Sequence, residues 1–139
     1  MAKKVLSVIL CLFIAASMTS VPALAANQGI IGIQPLWSNV STVSLGLNYS
    51  NSTANWTGAI LGQPGTTKIT ATYTLSLKNA NGTYTALKSW SDSTNSDLLY
   101  SSGSYSTVSS GNTYRISVTA NVTRNGSIET VTDSFEKKY

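Results

Sequence analysis

Between Lys68 and Asn79 the chain reads KITATYTLSLKN, and this stretch limits the fold more than any other. Ile69, Ala71, Tyr73, Leu75 and Leu77 fall on one face, while Thr70, Thr72, Thr74, Ser76 and Lys78 fall on the other. Strict alternation of this kind marks a half-buried β-strand, because successive side chains in a strand point to opposite faces. Thr113 to Thr123 (TYRISVTANVT) repeats the pattern, with Tyr114, Ile116, Val118, Ala120 and Val122 on the apolar side. Two such strands need a second layer to cover their apolar faces, so a two-layer β-domain is expected.

The rest of the chain fits that frame. Val40–Asn51 and Thr53–Leu61 alternate and are joined by Asn51-Ser52-Thr53; Gly62-Gln63-Pro64-Gly65 then turns the chain into Lys68–Asn79. Asn81-Gly82 sits between strand patterns and favours a type I′ hairpin leading into Thr83–Ser91. There the apolar residues Tyr84, Leu87 and Trp90 are spaced by three, which predicts a bulge or a twisted edge. Asp97–Val108 is a serine-rich strand, and Arg124-Asn125-Gly126 turns the second long strand into Ser127–Phe135. Seven strands at about 10-residue intervals predict an all-β, seven-stranded antiparallel sandwich of the immunoglobulin kind.

The N-terminus has the layout of a signal peptide. Lys3 and Lys4 precede an apolar run from Val5 to Ala16, and Ala23-Leu24-Ala25 supplies a small-x-small cleavage pattern. A bilayer needs about 20 consecutive apolar residues, so the run is short for an anchor, and no membrane span is expected after cleavage. Residues 1–25 are thus read as leader, 26–39 as an irregular lead-in or edge segment, and 40–139 as the sandwich. Cleavage leaves 114 of 139 residues. The only cysteine, Cys11, departs with the leader, so an exported domain without disulfides must be held by packing alone. The expected location is outside the cell or non-covalently on its surface. Without Lys3 and Lys4, seven scattered basic residues face five acidic ones. That is no nucleic-acid footprint, which requires clustered Lys and Arg.

Around the second long strand, VSSGNTYRISVTA resembles the fibronectin type III pattern, with Val108, Gly111, Tyr114, Ile116, Val118 and Ala120 in its characteristic places. The resemblance implies that Tyr114 forms a corner, its hydroxyl bonding back to nearby backbone. It also implies that Trp56 is the core tryptophan of the second strand and Lys68–Asn79 the third. The chain as a whole resembles small exported proteins of Gram-positive bacteria, which implies a location and no chemistry.

Histidine is absent and the mature chain has no cysteine, which excludes Ser-His-Asp and Cys-His catalysis. The carboxylates are Asp92, Asp97, Glu129, Asp133 and Glu136. Glu129 and Asp133 share a strand face about 13 Å apart by strand rise, too far for a retaining glycosidase pair. No enzyme activity and no cofactor are expected. Asp92, Asn95 and Asp97 cluster oxygen ligands in one loop and are a weak calcium candidate without the glycine and distal glutamate of an EF-hand. Flat sugar faces stack on exposed rings, which makes Trp37, Trp90, Tyr100 and Tyr105 candidate glycan contacts; Trp56, Tyr73 and Tyr114 are assigned to the core. The expected role is non-catalytic binding or adhesion, with a glycan, wall polysaccharide or extracellular protein as partner. Self-association through exposed strand edges is the alternative.

Overall fold

The computed structural model describes residues 36–139; the expected leader, 1–25, and residues 26–35 of the lead-in lie outside the described residues. Seven strands follow in order: β1 Val40–Ser50, β2 Thr53–Gly62, β3 Thr66–Lys78, β4 Tyr84–Thr94, β5 Leu98–Ser106, β6 Thr113–Arg124 and β7 Ser127–Lys138. They form two antiparallel sheets, one of three strands in the order β1-β2-β5 and one of four in the order β4-β3-β6-β7. Among the described residues there is no helix.

The alternation in β3 and β6 explains why these two strands are the centre of the larger sheet. Ile69, Ala71, Tyr73 and Leu75 pair in register with Val122, Ala120, Val118 and Ile116, and all eight side chains are buried. The smaller sheet answers with Val43, Leu47, Ala54, Trp56, Ile60 and Leu99. At about 1.5–3 kcal/mol for each fully buried large side chain, this one interior is the main source of stability in a domain without staples.

Turn chemistry sets the hairpin geometry. Asn51-Ser52 and Asn125-Gly126 each hold both residues at positive φ, as a two-residue type I′ hairpin requires. Asn81-Gly82 differs from the expected type I′ turn, for only Gly82 takes positive φ. Its N–H donates to the Asn79 carbonyl at 2.9 Å, and the Asn79 N–H donates to the Thr83 carbonyl at 2.8 Å. Side chains fix this wider loop: Asn79 Nδ2 donates to Thr83 Oγ1 at 2.9 Å, and Asn81 Oδ1 accepts from the Thr83 N–H at 3.0 Å.

The edges carry irregularities. The β3–β4 register slips between Leu75 and Ser76, whose partners are Lys88 and Ala86, leaving Leu87 unpaired as a bulge. Strand β7 turns Glu129, Asp133 and Lys137 to the interior side, opposite Val122, Val118 and Tyr114. Bulges and inward-pointing charges are devices that discourage edge-to-edge pairing. Glu129 also ties down the entry to β1, accepting the Ser38 N–H at 3.0 Å and the Asn39 N–H at 2.6 Å.

Candidate functional site

The four aromatic side chains singled out as sugar contacts do not share a surface. Trp90 pairs with Tyr73 across β3–β4 and therefore faces inward, where its ring lies tilted on Trp56 with centroids 5.1 Å apart. Trp37 and Tyr105 are half-buried and pack against the core. Tyr100 alone is exposed, at 66%, on the outer face of the smaller sheet beside Leu61 and Leu98. Trp56, Tyr73 and Tyr114 are all buried. Trp56 and Tyr73 stack at 4.6 Å across the two sheets, and the Tyr114 hydroxyl accepts the Ser109 N–H at 2.8 Å.

The residues expected to share one loop do not: Asp92 lies within β4, paired with Ala71, while Asn95 and Asp97 lie in the connection to β5. Asp92 accepts the Ser101 hydroxyl at 2.8 Å, joining the edges of the two sheets, and the Ser93 N–H at 2.8 Å. Asp97 accepts from the Ser96 hydroxyl at 3.1 Å, and its carbonyl accepts the Gly62 N–H at 2.7 Å; Asn95 lies on the bend between. Among the described residues no three His, Cys, Asp or Glu side chains converge as a metal would need.

What the strand order does assemble is a hydroxylated surface. Every second residue of β3 faces outward, and strand pairing brings the polar residues of β4, β6 and β7 alongside. Three cross-strand rows result: Ser93-Thr70-Asn121-Thr130, Ser91-Thr72-Thr119-Thr132 and Ser89-Thr74-Ser117-Ser134. With strands about 4.8 Å apart and same-face residues about 6.7 Å apart, hydroxyls recur on a regular grid. Several pair laterally: Thr74 with Ser89 at 2.9 Å, Thr72 with Ser91 at 3.3 Å, and Thr130 donating to Asn121 at 2.7 Å. The face is concave over β4, β3 and β6, forming a trough of about 530 Å³ lined by threonine, serine and Asn121, with Asp92 at its rim. A second depression of about 370 Å³ continues across β6 and β7 to Arg115.

At that end of the face four strands contribute charged or aromatic groups. Tyr84 donates its hydroxyl to Glu136, and Lys78 Nζ lies 3.1 Å from the same carboxylate. The Tyr84 hydroxyl, then Lys78, hold the Glu136 carboxyl below its ordinary value. The Arg115 guanidinium lies over the Tyr84 ring, its Cζ 3.5 Å from the ring centroid.

A hydroxyl both donates and accepts, and its proton rotates to suit a partner. A grid of them can form many hydrogen bonds at once. The Thr/Ser alternation of β3 is plain in the sequence, but read strand by strand it is only a solvated face. Its extension over four strands depends on pairing between distant segments. No known protein family's sequence profile matches the chain, and no curated protein matches it.

Proposed function

We propose that the protein is an exported, non-catalytic sandwich of the fibronectin type III kind that works by contact, and that it holds a polyhydroxylated chain such as a wall polysaccharide. The fold assignment draws support from the β1-β2-β5 and β4-β3-β6-β7 strand orders and from the Tyr114 hydroxyl bonded to Ser109. Export rests on the Lys3–Ala25 leader pattern. The observation that carries the binding role is the three-row hydroxyl trough. It offers paired donors and acceptors at regular spacing, almost without charge, which is the complement of a neutral sugar surface.

The carboxylates support a non-catalytic role. Asp92, Glu129 and Glu136 each accept local hydrogen bonds, from the Ser101 hydroxyl, from the Ser38 and Asn39 N–H groups, and from the Tyr84 hydroxyl respectively. Self-assembly through strand edges is less favoured, because β4 carries the Leu87 bulge and β7 its inward charges.

Co-sedimentation of residues 26–139 with insoluble peptidoglycan, chitin and cellulose tests the proposal. The comparison is a Thr72→Gln/Thr119→Gln variant, which adds bulk in the trough without changing charge. Saturable pelleting of the parent with at least one polymer, lost in the variant, is the expected result. Equal pelleting of parent and variant would move the site off this face.

A further inference from the structure

We infer that the chain held on this face carries anionic groups, and that Arg115 is the residue that reads them; this rests on the hydroxylated face being the contact surface. Arg115 is half-buried in β6 opposite Glu136 of β7. Its Nε is buried and makes no hydrogen bond. Glu136, the carboxylate nearest in register, is already bonded by Tyr84 and Lys78. The Tyr84 ring packs against the guanidinium, its centroid 3.5 Å from Arg115 Cζ. A planar guanidinium is suited to two-point recognition of carboxylate or phosphate oxygens, and this one borders the open depression across β6 and β7.

Placement strengthens the case. Along β6 the outward side chains run Arg115, Ser117, Thr119, Asn121, so the guanidinium lies at one end of a polar track about 20 Å long by strand rise. Lys78 and Lys138 reach the same end of the same face by register, which leaves it cationic after Glu136 is counted. The depression across β6 and β7 runs from Thr132 and Ser134 to Arg115. A polyol chain laid along the grid would therefore meet positive charge at one end. The matching ligand chemistry is a sugar or polyol polymer bearing carboxylates or phosphodiesters.

The test is affinity electrophoresis of residues 26–139 in gels containing polygalacturonate, its carboxyl-reduced form, or poly(glycerol phosphate). Retardation at least tenfold stronger with one of the anionic polymers than with the reduced one is expected, and which of the two binds better tells carboxylate from phosphodiester. Arg115→Gln is expected to abolish the preference, with Arg115→Lys restoring only part of it. Thr72→Gln/Thr119→Gln, which leaves all charges in place, should weaken binding as well; unchanged binding there would mean diffuse attraction to a basic protein and would overturn the inference. Equal, non-zero binding of acidic and reduced polymers would overturn it while leaving the contact face intact. Binding to no soluble or insoluble polymer would remove both. Should Arg115→Gln fail to fold, the parent's own preference and the Thr72→Gln/Thr119→Gln result still decide.

Discussion

Gly58→Ala adds one methyl group on the inner side of β2, against the Tyr73 ring of the opposite sheet. A Cβ there would stand 2.5 Å from Tyr73 Cε1 and 3.0 Å from its Cζ. The ring cannot readily withdraw: Tyr73 is fully buried and stacked at 4.6 Å on Trp56, which is backed by Trp90 at 5.1 Å. Overpacking a filled core costs about 1–3 kcal/mol, and the better strand propensity of alanine returns less than about 1 kcal/mol. A net loss of about 2 kcal/mol should lower Tm by roughly 10 °C in a domain of this size. Gly46→Ala is the control. Its Cβ would meet only Thr57 Oγ1, at 2.7 Å, and the exposed threonine hydroxyl can rotate away. Its change should stay within about 0.5 kcal/mol. Urea unfolding followed by tryptophan fluorescence and circular dichroism measures both. Equal stability of the two variants would refute the claim that glycine at 58 makes room for the Tyr73 ring.

Three further outcomes follow from side-chain bonds. Tyr114→Phe leaves the Ser109 N–H without its acceptor at 2.8 Å and should cost about 1–2 kcal/mol in urea unfolding. Burial, then the neighbouring Tyr114, pushes the Tyr49 hydroxyl from its ordinary 10.0 to about 12, while it donates to the Lys137 carbonyl at 2.6 Å. A raised folded value means that this contribution to stability is full below pH 10 and is lost as pH climbs towards 12, which ultraviolet titration of tyrosine ionisation beside unfolding curves will detect. The Glu136 carboxyl should titrate below its ordinary 4.5 by carbon-detected NMR and move upward in Tyr84→Phe, whose hydroxyl is the largest cause of the depression. The depressed value means that whatever stability Glu136 contributes is present above the unfolded value and is lost as pH falls through the folded one.

Local pattern carried the strands and not the site. Alternation placed β3 and β6, because each has a face that must be covered, and turn residues such as Pro64-Gly65 and Asn125-Gly126 marked their ends. Trp90 was less legible. Its three-residue spacing from Leu87 suggested a bulged edge, yet only the pairing with Tyr73 reveals that the ring faces inward onto Trp56. Arg115 looked like one scattered base among seven, since Tyr84 lies 31 positions away in sequence and Glu136 reaches it only through the β6–β7 hairpin. The hydroxyl rows have the same origin. Strand order is a long-range property, and it converts four solvated faces into one surface.

The central claim is that the outer face of the four-stranded sheet is the contact surface, and amide chemical-shift mapping by NMR tests it most directly. Residues 26–139 would be titrated with a soluble oligosaccharide from whichever polymer pellets or retards the protein. Saturable shifts should concentrate at Thr70, Thr72, Thr74, Ser117, Thr119 and Asn121. Shifts clustered instead at Leu61, Leu98 and Tyr100 would contradict the claim and place contact on the exposed apolar patch of the opposite sheet.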